Sequence, residues 1–374
     1  MRILYIVNVD WFFISHRLPI ALEAKKRGYE IYVLAGDTGV GESLSKHQIN
    51  FIPWQINRSG TNIFKEVKTI IQLIKILFQL KPQIIHNIGI KSVIYGSLIS
   101  KLYRKPCLNA IAGMGFAFSG ENFKAQTLRI IFKHFFFYVL KSKRNLLVVQ
   151  NEDDKNRFLD LGYINASQLR LIKSSGVDLN RFNFKLEPSS IPSIVCLPSR
   201  MLWDKGIGEF IEAIRILKNI NLNNVRFILV GGIDGENPAK ILEKQLNDWV
   251  TEGIVEWWGH QTDMPKILSK ALIVVLPSYN EGFPKVLLEA SAIGRAIITT
   301  DAVGCREFIK DDYNGILVPP KNAKALAIAI NKLLNNSDLR KKYIKNGYEL
   351  VKQNYTIEKI VEQTFLIYDE MLNK

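Results

Sequence analysis

The chain has 374 residues, 47% of them apolar and 23% charged, a length that suits two domains of roughly 150–200 residues. This composition excludes a disordered or collagen-like chain, and the scattered Cys107, Cys196 and Cys305 form neither a CxxC pair nor a disulfide framework. The formal charge of +15 is lopsided: residues 1–181 carry 26 basic and 12 acidic side chains, whereas residues 182–374 carry 24 and 23.

In chain order, Ile3–Val7 reads as a strand, too short for a secretory leader because Asn8 and Asp10 end the apolar run. Leu18–Arg27 follows as a helix closed by Gly28, then Ile31–Leu34 as a strand. Ile63–Leu80 has a helical period stopped by Pro82, Ile84-Ile85 is a strand, and Lys91–Leu102 is a helix. Leu146–Val149 is a strand, followed by a helix over Asp153–Leu161 with Gly162 behind it. Glu187–Pro192 has the composition of a linker.

The alternation then restarts. Ile194–Leu197, Phe227–Val230, Leu272–Leu276 and Ala296–Thr299 read as strands. Ile207–Leu217, Val286–Ala292 and Ala323–Leu334 read as helices. Two doubly wound α/β domains are expected, over 1–185 and 186–355. The amphipathic segment Ile357–Met371 is expected to return to the first domain. Ligands of such sheets bind beyond the carboxyl ends of the strands, so a cleft between two facing sheets is the expected site.

Two strand-end segments carry the chemistry. The first is Pro277-Ser278-Tyr279-Asn280-Glu281-Gly282-Phe283-Pro284-Lys285-Val286-Leu287-Leu288-Glu289. Gly282 permits close backbone approach, Pro284 suits a helix start, and the N–H groups of 283–286 face an anion. Glu281 and Glu289 are suited to sugar hydroxyls, since a carboxylate accepts two hydrogen bonds. Their bland alternatives are a helix cap and a solvated side chain. The second segment is Pro198-Ser199-Arg200-Met201-Leu202-Trp203-Asp204-Lys205-Gly206. There Arg200 and Lys205 can converge on one diphosphate, unless Lys205 pairs with Asp204.

S-R-x-x-x-x-K-G followed by E-G-F-P-x-x-x-x-E resembles the signature of family 4 retaining glycosyltransferases of GT-B fold. The resemblance extends over nearly the whole chain, with loops at Val230-Gly231-Gly232, Trp258-Gly259-His260 and Gly304 to Gly315. Trp11-Phe12-Phe13-Ile14-Ser15-His16-Arg17-Leu18-Pro19 resembles members that extend surface glycans on polyprenyl diphosphate. The resemblance implies that Arg200 and Lys205 hold the nucleotide diphosphate, Glu281 the donor sugar and Glu289 the ribose, with the base near Gly259-His260. Gly232, Gly282, Phe283, Pro284, Lys285 and Val286 complete the implied donor site. Retention of anomeric configuration, with the leaving phosphate taking the acceptor proton, follows from the family.

No cofactor and no metal in the chemical step are expected, because the chain contains no Asp-x-Asp and no ligand-spaced His/Cys pair. Arg, Lys and a helix start can neutralise the leaving group instead. On the acceptor side, His16 and Arg17 are read as contacts for a phosphate. His86 is read as the end of a strand before Lys91, and the loop carrying Gly113 and Gly115 as a flexible acceptor loop. Asn8-Val9-Asp10-Trp11 departs from the glycine-rich turn often found there.

Residues 43–151 hold 16 basic residues against Glu66 and Glu121, and 122–151 has no acid while containing the Phe135–Leu140 run. A basic, aromatic-rich segment of this kind lies in a membrane interface or, alternatively, in a core with snorkelling lysines. The reading is a nucleotide-sugar-dependent glycosyltransferase, with UDP the expected nucleotide, on the inner face of the cytoplasmic membrane, attached to an anionic surface. A GT-B-fold sugar-nucleotide epimerase is the alternative within the fold. A nucleic-acid-binding protein using the basic half is the alternative of another class, disfavoured because the phosphate-loop residues lie in the near-neutral half and no nucleic-acid motif is present.

Overall fold

The computed structural model describes residues 1–56, 63–111, 113, 138, 140, 142, 144–189, 191–219, 224–235 and 237–373. They form two compact units, Met1–Ser175 with Ile357–Lys374, and Gly176–Thr356.

The first unit runs β1 (Arg2–Val7), α1 (Asp10–His16), α2 (Leu18–Lys26), β2 (Glu30–Ala35), β3 (Asn50–Pro53), α3 (Ile63–Leu80) and β4 (Ile84–Ile88). It continues with α4 (Ile90–Leu102), β5 (Cys107–Ile111), β6 (Asn145–Val149), α5 (Glu152–Asp160) and β7 (Leu169–Leu171). The strands pair in parallel in the order β3-β2-β1-β4-β5-β6-β7. Strands such as Leu4, Ile6, Ile84 and Ile85 are buried because helices cover both faces, which is why their sequences are continuous apolar runs. Gly28 and Gly162 take the positive φ values (+84° and +66°) expected of residues that end helices.

The second unit contains β8 (Ser193–Pro198), α6 (Ile207–Lys218), β9 (Val225–Val230), α7 (Glu243–Thr251), β10 (Glu256–Trp257), α8 (Met264–Lys270) and β11 (Ile273–Leu276). Then come α9 (Lys285–Ile293), β12 (Ala296–Thr300), α10 (Cys305–Phe308), β13 (Ile316–Val318), α11 (Ala323–Leu334) and α12 (Ser337–Asn354). Its order β10-β9-β8-β11-β12-β13 reverses between β8 and β11, the switch point at which doubly wound sheets bind ligands.

The last helix, α13 (Ile357–Leu372), packs in the first unit, burying Ile360, Phe365, Tyr368 and Met371 with Ile20, Ala24 and Ile84. The boundary falls at Ser175/Gly176, ten residues before the expected one. Val177 donates its N–H to the Tyr355 carbonyl at 2.9 Å, and Phe182 is buried in the second core. The linker-like Glu187–Pro192 is therefore a surface passage within the second unit.

Candidate active site

Lys205 and Glu281 straddle the β8–β11 switch point, one on the loop after each strand. Lys205 Nζ lies 2.6 Å from Glu281 Oε1, and both side chains are largely buried. Lys205 pairs with Glu281 and not with Asp204, whose backbone carbonyl instead accepts from the Tyr279 N–H (2.9 Å) and the Ser278 hydroxyl (3.2 Å). Gly206, at φ +72°, lets the two loops touch: a Cβ there would overlap the Pro277 carbonyl. On the other flank the Glu281 N–H donates to the Val303 carbonyl at 3.0 Å. Gly304, at φ +81°, leaves no room for a Cβ beside the Glu281 carbonyl. Three strand-end loops thus fix one ion pair through backbone contacts.

Helix α9 begins at Lys285, with Pro284 at the capping position and no side-chain cap, so Glu281 does not cap it. The first N–H groups of any helix lack intrahelical acceptors, which makes this opening turn suited to an anion. Phe283 is anchored beneath it against Phe308 and Tyr355. One turn inside, Lys285 Nζ lies 3.5 Å from Glu289 Oε1. Glu289 is only 9% exposed, so it is not a solvated side chain. Burial pushes its carboxyl above the usual range, offset in part by Lys285 and then Arg181.

Arg200 does not share the acid that holds Lys205. Its Nη1 lies 2.6 Å from Asp234 Oδ2, on the loop after β9, with the guanidinium side more exposed than its partner. Around this loop the Gly231 N–H donates to the Gly259 carbonyl (2.8 Å), and the Met201 N–H to the Gly232 carbonyl (3.0 Å). A Cβ on Gly232 would contact the Cβ of His260 at 3.4 Å. Gly232, Gly259 and His260 are therefore brought together beside the Arg200 loop. Sequence reasoning missed Asp234, although its place two residues beyond Gly232 on a strand-end loop was a usable signal. It also missed Glu209, which accepts from the Tyr279 hydroxyl at 2.6 Å.

In the first unit the switch point lies between β1 and β4. Asn8 Oδ1 accepts from the Ser92 N–H (3.2 Å) and hydroxyl (2.7 Å), and Gly89 at φ +91° lies against Asn8. Asp10, also missed, is fully buried. Burial raises its carboxyl, but hydrogen bonds from Thr38, Trp11 and Gly41 outweigh that and hold it below the usual range. It organises the turn that replaces a glycine-rich one. His16 ends α1, half-buried and stacked on Phe12 at 4.1 Å.

Arg17 is 5% exposed and lines a small cavity, about 20 Å³, with His86, Gln150, Ser174 and Thr364; that is room for a water. His86 is the third of five residues in β4, not its end, and is 2% exposed, with Nδ1 2.7 Å from the Tyr368 hydroxyl. Burial, then Arg17, pushes its imidazole well below the usual range, so it is neutral. Lys91 is in an ion pair with Glu66 at 2.6 Å. Gly113 follows β5 at φ +82°. Gly115 and nearly all of 122–144 lie outside the described residues.

Comparison with known proteins agrees with this architecture. Residues 2–151 match the model of "Glycosyl transferase 4-like" domains, and residues 180–350 that of "Glycosyl transferases group 1". The Campylobacter jejuni N,N'-diacetylbacillosaminyl-diphospho-undecaprenol alpha-1,3-N-acetylgalactosaminyltransferase is 31% identical over 100% of this chain and 99% of its own. The Escherichia coli UDP-Gal:alpha-D-GlcNAc-diphosphoundecaprenol alpha-1,3-galactosyltransferase is 27% identical over 84% of this chain and 82% of its own. The crystal structure of Anabaena HepE in complex with UDP-glucose superposes with a TM-score of 0.81 at 19% identity, covering 99% of this chain and 100% of that one. Fold and site define a GT-B enzyme. The chain belongs to the family 4 (group 1) glycosyltransferases, alongside enzymes of bacterial lipid-linked glycan assembly.

Proposed function

We propose that this enzyme transfers a hexose or N-acetylhexosamine from UDP to a polyprenyl-diphosphate-linked glycan, with retention of anomeric configuration. The observation that carries this reading is the Lys205–Glu281 pair at the switch point, beside the start of α9. The printed activities of the Campylobacter and Escherichia coli relatives, both on diphospho-undecaprenol acceptors, support the acceptor class. UDP as donor is supported by the name of the second relative and by the HepE complex.

In the reaction the anomeric C–O bond to the diphosphate breaks and an acceptor hydroxyl oxygen bonds to the same face of that carbon. The hydroxyl proton passes to the departing diphosphate oxygen, so no protein base is needed. Charge grows on the diphosphate, and fixed donors aimed at it lower the barrier most. Arg200 and Lys205 supply cations, and Phe283, Lys285 and Val286 supply N–H groups, Pro284 having none. Glu281 keeps Lys205 in place and, on the sugar side, accepts donor hydroxyls. Glu289 accepts the ribose hydroxyls, with the base near Gly259 and His260. The acceptor diphosphate is assigned to the strand ends of the first unit, on the side of His16 and Lys91; Arg17, expected to touch it, is buried in a cavity with room for only a water and serves from beneath. His86 supports Arg17 from within the core. No divalent metal is assigned to the chemical step, since the cations named do that work.

The test is a panel of UDP-hexoses and UDP-N-acetylhexosamines with a polyprenyl-diphosphate-linked saccharide, in EDTA. Transfer from one donor, with the product's anomeric proton coupling matching that of the donor, is expected. Transfer that stops in EDTA and returns with Mg²⁺ contradicts the metal-free step. Epimerisation of a donor without any acceptor contradicts the transferase reading.

A further inference from the structure

Helix α3 is apolar on two faces; one is buried in the core and the other is exposed. Thr69, Leu73, Ile76 and Leu77 are buried against β1, β2 and α4. On the opposite side Phe64 (88% exposed), Val67 (49%), Ile71 (47%) and Phe78 (64%) recur at three-, four- and seven-residue steps, one continuous stripe on a helix. Lys65, Lys68 and Lys75 are exposed along the same stripe. The helix has a single acid, Glu66, and it is turned away: its carboxylate takes Lys91 at 2.6 Å and the Tyr95 hydroxyl. Between residues 63 and 111 the chain holds eight Lys and Arg against that one acid.

We infer that the outer face of α3 is a docking surface for an anionic lipid bilayer. Aromatic and aliphatic side chains interleaved with lysines, without an exposed acid, suit the boundary between headgroups and acyl chains. A second copy of this chain is the weaker occupant, because a two-fold contact along this stripe sets Lys68 and Lys75 against the same cations of the copy. The stripe gives the lipid-linked acceptor reading a membrane-facing surface. It is also distinct from the basic segment at 122–151 that the sequence singled out. The inference deepens that reading without depending on which sugar is moved.

The test uses the full chain and sedimentation with vesicles of neutral phosphatidylcholine, with and without 30% phosphatidylglycerol. Binding to the anionic vesicles only, weakened but not abolished at 0.5 M salt, is expected. Lys68→Gln with Lys75→Gln should weaken it by roughly 10–30-fold at physiological salt, from a factor of up to about five per surface-proximal cation, and little at high salt. Ile71→Ser with Phe78→Ser should remove the salt-resistant part. These side chains are exposed, so melting temperatures should match wild type, and UDP-sugar hydrolysis should persist in both variants. Unchanged vesicle binding in both double variants overturns the inference. So does equal binding to neutral vesicles, or a wild-type dimer that the Ile71/Phe78 variant converts to monomer. Loss of transfer with every donor while vesicle binding persists counts against the proposed reaction and leaves the docking surface standing.

Discussion

Lys205 and Glu281, 76 positions apart in sequence, meet at 2.6 Å because two strands adjacent in the sheet, β8 and β11, end side by side. Both side chains are largely buried, so each charge is balanced by the other. In the reaction proposed above, a diphosphate arriving there meets a lysine that is already ordered.

Replacing Lys205 by Ala should lower kcat by about 100–1,000-fold, the usual loss for one stabiliser of developing negative charge. Arg200→Ala should do the same. Asp234→Asn, which frees Arg200 without removing it, should cost less than about tenfold. Steady-state kinetics with the donor found in the panel checks all three. Near-full turnover in Lys205→Ala would remove the diphosphate assignment.

Glu289→Gln should show opposite effects on stability and binding. A carboxyl raised by burial is favoured neutral in the fold, so its contribution is full below the unfolded value near pH 4.5 and is lost as pH rises through the folded one. The variant should therefore match wild type at pH 4 and melt higher at pH 7. Its KM for the donor should rise about tenfold, with kcat less affected, as expected of a ground-state contact. A melting difference that does not change with pH contradicts the assignment.

Gly304→Ala should displace Glu281. The added methyl overlaps the Glu281 and Gly282 carbonyls, and φ is +81°, a conformation that strains any L side chain by about 1–3 kcal/mol. Activity should fall at least tenfold. Gly208→Ala, whose Cβ meets only the Trp203 ring at 3.4 Å, is the matched control and should leave activity intact. Equal behaviour of the two variants would falsify the role given to the Gly304 turn.

Tyr368→Phe should destabilise the first unit by about 1–3 kcal/mol. It removes the hydroxyl that meets His86 Nδ1 at 2.7 Å and Tyr5 at 3.1 Å, leaving a buried imidazole unpaired. Calorimetry should show one transition moved down, with the donor-binding unit's transition unchanged.

Much of this was legible from residue patterns, and the exceptions have physical causes. β1, β8, β11 and β12 read as strands because burial on both faces demands unbroken apolar runs. β5 did not, because Asn109 interrupts it; the structure buries that side chain in a polar network with Asn87 (2.8 Å) and Ser97 (2.7 Å). α1 was hidden by Asp10, which looked like a loop residue and serves the turns at Thr38 and Gly41. α12 was hidden by polarity: over eighteen residues it buries little beyond Tyr343, Ile344, Gly347 and Val351. The donor-side residues were visible because each loop is contiguous in sequence. Their pairings, Lys205 with Glu281 and Arg200 with Asp234, depend on strand order, which no local pattern records. His86 was misplaced to a strand end because the strand continues through Asn87, a polar residue whose amide nitrogen donates internally to Cys107 and Asn109.

The chain enters the second unit at Gly176 and leaves it at Thr356, so one unit is continuous and the other is in two pieces. A ribosome releases residues 176–356 as a complete sheet with its helices before α13, the helix that closes the first unit's core, exists. Phe365, Tyr368 and Met371, large side chains of the first core, are all made after the second unit is complete. The usual order, in which the amino-terminal domain folds first, needs that domain to be complete in sequence, and here it lacks α13 until after Thr356. The first unit stays open along the α2–β4 face until α13 is made, and the second unit is available to fold ahead of it.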